Sequence, residues 1–286
     1  MKDSILIKKT SGQLIPFSPD KLRESLTRSG ADHEIVEMVV QHISQKVQPG
    51  TSSKRIHQWT HQMLKKLSKP SAARFKLKRA IQELGPTGYP FEKFVGELLR
   101  EVGWDVQTGV IVEGKCVPHE VDVLGDQKGK RISIECKFGN TLNKKVDVKV
   151  ALYIHSRFQD LKAAWEQEKP QGIHSYEGWI VTNASFTGDA IRYGTCANLK
   201  LISWNYPAQG NLRQMIDDSC LYPITVLSTL TKAEKNRLLK MDYVLCRQVE
   251  GNEELLREVQ VPESRIRKAL NELRNVIDLH QAGSEG

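Results

Sequence analysis

Residues 119–137 read HEVDVLGDQKGKRISIECK, and the fold class turns on how that run is parsed. Val121, Val123, Ile132, Ile134 and Cys136 alternate with polar residues, while Gly125, Asp126 and Gly129 interrupt them with turn formers. Two strands joined by a short loop, an antiparallel hairpin, are predicted from this pattern. Because strand side chains alternate faces, Arg131, Ser133, Glu135 and Lys137 share one side, and Ile132, Ile134 and Cys136 the other. Glu135 and Lys137 then emerge together at the end of the second strand, within reach of Asp122 on the first.

Two carboxylates, Asp122 and Glu135, with the carbonyl of Cys136 make a hard, all-oxygen ligand set that suits Mg²⁺ or Mn²⁺. Such an ion activates water and stabilises charge developing on a phosphate. Lys137 would orient that water or offset the same charge. The alternative for the same residues is a polar strand edge at Asp122 and a solvated pair at Glu135 and Lys137.

Asp122, a hairpin's length, and then Glu135-Cys136-Lys137 resemble the D…ExK signature of the PD-(D/E)xK nucleases. The likeness extends outward. PFEKFVGELLREVGWDV at 90–106 resembles the first helix of the Mrr-like and Holliday-junction-resolvase branches, where a Glu near the helix start serves the metal site. GWIVTNASFTGDAIRYG followed by LKLISW, within 178–204, resembles the later strand, helix and strand of Mrr-type domains. The family's helix Glu carries over to Glu92 by its spacing to Gly103. A helical wheel agrees: Phe91, Phe94, Val95, Leu98, Leu99 and Val102 form an apolar face with Glu92 at its shoulder, while Glu97 lies further round toward Lys93 and Arg100. The catalytic set implied by the resemblance is Glu92, Asp122, Glu135 and Lys137, with metal ligands from Asp122, Glu135 and Cys136.

The chain has 286 residues and a formal charge of +8, long enough for two or more domains. Its five cysteines form no CxxC pair, so free thiols are expected rather than a disulfide framework or zinc ribbon. Cys116 and His119 have a ligand-like spacing without a second pair, and packing of the hairpin is the better-supported role. No apolar run approaches the ~18 residues of a membrane helix, and no leader pattern follows Met1, so a cytoplasmic protein is expected.

The basic excess is N-terminal. Residues 1–85 hold 16 Lys and Arg against 7 Asp and Glu, and no acid occurs between Met38 and Gln82. An anionic partner follows, nucleotide or nucleic acid. The segment reads as a strand pair at its start, a helix opened by Ser18-Pro19, and helices at 33–47, 53–67 and 71–84. LIKKTSGQLIPFSPDKL, GTSSKRIHQWTHQML and AARFKLKRA resemble an ATP-cone, the nucleotide-sensing module of ribonucleotide reductases. Lys9 and Lys21 match the family's triphosphate contacts, and Ser18, Thr51 and Ser53 its polar positions around the nucleotide. The turn reads Lys9-Thr10-Ser11-Gly12 where the family has KRDG. No P-loop is present.

Gly85–Pro90 is dense in breakers and is expected to mark a boundary. The expected fold is α/β: an ATP-cone over 1–85, a restriction-endonuclease-like αβββαβ core over 89–206, and an all-helical tail over 207–286. Lys144, Lys145 and Lys149, just past the site, are candidate DNA phosphate contacts. Thr231 with Glu234 reads as a capping box. The short tail helices resemble helix-hairpin-helix DNA binders without their glycine hairpin, and a packing or oligomerisation role is the alternative. Together these readings give a metal-dependent DNA endonuclease with ATP or dATP as effector, in restriction and defence or in repair, acting as a homo-oligomer with no membrane. The rival is a nucleotide-sensing DNA-binding regulator whose nuclease fold no longer cleaves.

Overall fold

Leu6 and Leu14 begin the two strands of a small antiparallel ribbon, β1 (Leu6–Lys8) and β2 (Leu14–Pro16), in which Ile7 pairs with Ile15. The computed structural model describes residues 5–9, 12–141 and 144–277, so the expected turn at Thr10-Ser11 lies outside the described residues. Four helices follow, α1 (Pro19–Arg28), α2 (His33–Lys46), α3 (Ser53–Leu67) and α4 (Lys69–Gln82). Ser18 starts α1 as its cap, with Oγ accepting from Lys21 N at 3.2 Å. Leu26, Val36, Val39, Val40, Ile43, Ile56 and Leu64 recur at helical spacing and bury one core together with Ile7. The described residues up to Leu77, with those from Arg274 on, form one compact unit, and Lys78–Leu273 form the second. The division falls inside α4, earlier than the Gly85–Pro90 turn.

The second unit is built on a five-stranded sheet. Helix α5 (Tyr89–Glu101) places Pro90 in its first turn and buries Phe91, Phe94, Val95, Leu98 and Leu99 of the face read from the wheel, whereas Val102, past the helix end, is exposed. Strands β3 (Asp105–Glu113), β4 (Pro118–Gln127) and β5 (Lys130–Lys137) form an antiparallel meander. The β4–β5 turn holds Lys128 at φ 46° and Gly129 at φ 80°, and this pair of left-handed residues makes the tight reversal that a right-twisted hairpin needs. After β6 (Lys145–Val146), the long helix α6 (Val148–Glu168) crosses over to β7 (Ser175–Thr182), which runs parallel to β5. Then come β8 (Ser185–Phe186), α7 (Gly188–Cys196) and β9 (Lys200–Ile202), giving the sheet order β3-β4-β5-β7-β9. α7 and β9 follow the αβββαβ core as the later helix and strand expected within 178–204. One sheet face packs Val121, Ile180 and Leu201 against Ile154, Phe158, Leu161 and Trp165 of α6. Trp165 is core, as its place in the apolar stripe implies.

Residues 207–273 belong to this same compact unit. They supply α8 (Leu212–Ser219), α9 (Lys232–Lys240), α10 (Glu253–Glu258) and α11 (Glu263–Ile277). The Thr231–Glu234 capping box forms. Thr225 Oγ1 donates to Ala80 O at 2.6 Å, a buried contact that ties this segment to the end of α4. Among the described residues no helix is long and apolar enough to cross a membrane.

Candidate active site

The parallel strands β5 and β7 end together, with Lys137 paired to Thr182. Ligand sites of open α/β sheets collect at such carboxyl ends. Glu135 and Lys137 stand two apart on β5, so their side chains meet on one face as an ion pair. Glu135 is 7% exposed, buried for a carboxylate. Its second oxygen, Oε2, accepts from Arg157 Nη1 of α6 at 2.7 Å. The same guanidinium donates to the Glu120 carbonyl and lies over the Tyr153 ring. A solvated cross-strand pair, the alternative reading of Glu135 and Lys137, does not describe this geometry.

Asp122 occupies a gap in the sheet. β4 pairs Val123 with Thr108 and Val121 with Val110, but the register skips Asp122 and the Gly109 opposite it. Gly109 has φ 63°, which an L side chain adopts only with strain. On the other side, β4–β5 pairing stops at Val123 and Ile134. Where the ladder stops, Asp122 Oδ2 accepts the Cys136 N–H at 2.7 Å, holding the carboxylate beside the Glu135-Cys136 peptide.

The electrostatics are those of crowded, partly desolvated acids. Burial, then the Glu135 charge, push Asp122 up to about 6, against the pull of the Cys136 N–H, Lys137 and Arg157. Burial, then Asp122, Glu120 and Glu135, push Glu92 on α5 up to about 7, with Lys137 opposing. Glu97 instead pairs with Arg100, whose Nη2 also donates to Val106 O at 2.8 Å. Glu92 is therefore the helix acid that the site feels. Among the described residues no three His, Cys, Asp or Glu side chains group as a metal cage. The set expected from the sequence asks for two carboxylates and the Cys136 carbonyl. Its donor chemistry fits a hard dication, and the raised acids are the condition that a cation relieves.

Residues 85–206 match the Mrr-type catalytic domain of the restriction endonuclease family, and residues 222–277 match the AF1548-like C-terminal domain. An uncharacterized protein of Archaeoglobus fulgidus is 34% identical over 185 residues, which are 64% of this chain and 99% of that protein. The chain belongs to the AF1548-like family. The crystal structure of AF1548, a protein of unknown function, matches at 34% identity with a TM-score of 0.55, covering 67% of this chain and 98% of that one. This AF1548-like chain carries a restriction-endonuclease-like domain in a mixed α/β fold, and the Asp122, Glu135 and Lys137 cluster lies within it.

Other residues singled out in the sequence fall into separate places on the AF1548-like chain. Lys144, Lys145 and Lys149 are exposed. Lys144 approaches Gly139, which Asn183 clamps from both sides: Gly139 N donates to Asn183 Oδ1 at 2.6 Å, and Asn183 Nδ2 donates to Gly139 O at 3.0 Å. Thr182 Oγ1 donates to Lys137 O at 2.5 Å, so the end of β7 positions the lysine's backbone. Cys116 and His119 meet on Asp160 of α6. His119 Nε2 lies 2.8 Å from Oδ2, and Cys116 N donates to Oδ1 at 2.9 Å. Hydrogen bonds from His119 and Cys116 hold Asp160 down to about 2, and the cluster pins the β3–β4 loop, the packing role expected of it.

In the N-terminal unit, β1 lies between β2 and the loop before α3. Gly50 N donates to Leu6 O at 2.8 Å and Lys8 N to Thr51 O at 3.0 Å. This brings Thr51 and Ser53 toward the Lys9 end of the ribbon, whereas Ser18 and Lys21 lie beyond its other end, next to Ile5. Thr51 Oγ1 accepts from Gln48 N at 3.0 Å, and Ser52 rather than Ser53 caps α3.

Arg157 is the residue of the site that the sequence reading missed. In a linear view it is one charge on an amphipathic helix. Its position three residues after Ile154 and one before Phe158, both buried, is the only local signal that it faces the sheet.

Proposed function

We propose that this chain is a metal-dependent DNA endonuclease whose N-terminal unit binds ATP or dATP as an effector. The observation that carries the nuclease reading is Glu135. It is buried at the end of β5, paired on both oxygens by Lys137 and Arg157, and set beside an Asp122 that the sheet leaves outside its ladder. In this reading Asp122, Glu135 and the Cys136 carbonyl hold Mg²⁺ or Mn²⁺, with Glu92 completing the negative field. The bound ion would supply Lewis-acid stabilisation of the phosphate and a more acidic water. Lys137 contributes a positive charge at the scissile phosphate, and Arg157 fixes the Glu135 carboxylate from behind. Lys144, Lys145 and Lys149 offer backbone phosphate contacts next to the site.

Support for the effector comes from the ribbon-on-helices build of the N-terminal unit, its excess of basic residues, and the gathering of Lys9, Thr51 and Ser53 at one end of the ribbon. A nucleotide bound there acts by its differential affinity for two states of the chain, since no P-loop is present to hydrolyse it. The test is incubation of duplex DNA with the full chain in Mg²⁺, in EDTA, and with Asp122→Asn. Cutting in Mg²⁺ alone, lost with Asp122→Asn, is expected. Binding without cutting in any divalent metal would favour the regulator reading instead.

A further inference from the structure

Helix α6 starts at the end of the sheet where the acids gather. β6 leads into it and pairs with β8, just past the end of β7, so its first turn is tied to the segment that follows Thr182. Ala151, Ile154, Phe158, Leu161 and Trp165 turn inward to the core. Lys149, Tyr153 and Arg157, each four apart, run along the flank of that buried face. Arg157 is the inner end of this row and reaches Glu135. Lys149 is its outer end and is exposed.

Tyr153, between them, is 59% exposed, although Trp165 on the same helix is buried. The Arg157 guanidinium lies over its ring, 5.5 Å from the centroid, and backs one face. The hydroxyls of Tyr89, Tyr176 and Tyr193 each reach a neighbour, respectively Asp242, the Trp165 carbonyl and His155. That of Tyr153 makes no hydrogen bond among the described residues. Neither burial nor a hydrogen bond therefore accounts for an aromatic residue at this position. A ring held upright by a cation and otherwise open to water is a platform for another flat ring. Its surroundings select which one. Lys144, Lys145 and Lys149 are exposed around the start of the helix, so the fitting partner joins a flat ring to negative charge, as a nucleotide does.

We infer that Tyr153 stacks on a DNA base beside the Asp122 and Glu135 site, and that the site takes DNA best where a nucleotide there is unpaired. In a duplex each base is stacked between its neighbours and shows only its edge in the grooves. Tyr153 meets the face of a base only where that base is unpaired or has been drawn out of the stack. Matched duplex is then bound and cut less well, because unstacking has a cost that an unpaired nucleotide does not carry. Arg157 touches both the ring and Glu135, so the stacked base is set in register with the metal ligands through one side chain. The inference rests on the reading of DNA as the ligand of this site.

The experiment measures affinity on the full chain carrying Asp122→Asn and cutting on the chain with native Asp122. One DNA sequence is offered as a matched duplex, as a single strand, as a duplex with one unpaired nucleotide, and as that last duplex with the unpaired nucleotide abasic. The unpaired nucleotide should raise affinity over the matched duplex about 10-fold, the scale of one base stacked on an aromatic ring. Tyr153→Ala should remove that gain, and Tyr153→Phe should recover most of it, since the ring is kept. On the abasic duplex the chains with Tyr153 and with Tyr153→Ala should bind alike, because the stacking partner is gone. A ring that only supports Arg157 would instead weaken all four probes equally, and that result overturns the inference. So does a chain with no preference for the unpaired nucleotide, or one that binds no DNA. If the preference is found but the chain with native Asp122 never cuts in Mg²⁺, the nuclease reading falls and base stacking stands as recognition alone. If the chain cuts and Tyr153→Ala changes nothing on any probe, the nuclease reading stands and the inference falls.

Discussion

Arg157 Nη1 lies 2.7 Å from Glu135 Oε2, so the carboxylate at the centre of the site is held from α6 as well as by Lys137 on its own strand. A buried carboxylate needs such partners, because an unpaired charge there would cost several kcal/mol. The arrangement fixes the direction of the Glu135 carboxylate, while the crowded negative charge raises Asp122 and Glu92. Arg157→Ala should therefore lower the cleavage rate about 10–100-fold, the range for groups that orient a metal ligand. Arg157→Lys should recover part of the loss, since it restores the charge without the fork. Metal dependence distinguishes positioning from simple packing: the Ala variant should need more Mg²⁺ for half-maximal rate. An unchanged Mg²⁺ requirement would show that Arg157 only supports the fold.

Asp122 does two jobs, and two substitutions separate them. Asp122→Asn keeps an oxygen for the Cys136 N–H but removes the charge. Asp122→Ala also leaves that N–H unsatisfied, which costs about 1–3 kcal/mol. Both should abolish cutting, and only the Ala variant should melt clearly below wild type in metal-free buffer. Equal melting of the two would mean that the Cys136 bond contributes nothing to the fold.

Glu92 makes a pH-dependent cost. Its pKa rises from the ordinary 4.5 to about 7, so the folded state binds the proton more tightly than the unfolded chain. Stability from this group is complete below about 4.5 and is lost as pH rises toward 7. Glu92→Gln removes the loss. At pH 8 the variant should be more stable than wild type by about 1–2 kcal/mol, a figure already reduced because the group is partly exposed. Near pH 4 the two should melt together. Glu97→Gln, which breaks only the Arg100 pair, should show no gain at pH 8, and urea titrations at the two pH values read the difference.

How far this could be seen in the sequence depended on whether the signal was local. The hairpin, the α5 face and the Thr231 cap rest on alternation, wheel spacing and capping chemistry and reappear, except that Gly125 and Asp126 pair inside β4 instead of making the turn and Val102 of the wheel face is exposed. The wheel puts Glu92 rather than Glu97 at the shoulder of the buried face, but its meeting with Asp122 needed a family motif, because nothing in residues 89–101 alone says which strand residue that shoulder faces. Arg157 and the Asn183 clamp on Gly139 were not legible, since both depend on how α6 and β7 fall against β5. Gln260 shows the same limit. A glycine at a left-handed turn would have announced the joint between α10 and α11, whereas glutamine there is silent until its φ of 61° is known.

The N-terminal unit should bind ATP or dATP in the full chain with a stoichiometry of one, read by calorimetry. Lys9→Ala with Lys21→Ala should weaken binding at least about tenfold, since each lysine is read as a triphosphate contact. If the two lysines serve one ligand, each single variant should lose affinity on its own. A chain in which neither substitution matters would make the basic segment a DNA arm, and its DNA affinity should then fall steeply with salt.

Metal binding should be linked to the same protons that raise Asp122 and Glu92. A dication binds the ionised carboxylates, so below their pKa values of about 6 and about 7 it must displace protons to bind. Affinity for Mg²⁺ should therefore climb as pH rises through 6 and 7 and level off above. Because a ligand that binds only the folded state stabilises it by RT ln(1 + [L]/Kd), the melting temperature offers a readout independent of cleavage. At pH 8 added Mg²⁺ should raise it, at pH 5 the rise should shrink to near nothing, and Asp122→Asn should remove it at both. Mn²⁺ should behave alike, because the set is all oxygen. A shift that is the same at pH 5 and pH 8, or that survives Asp122→Asn, would place the metal elsewhere than on Asp122 and Glu135.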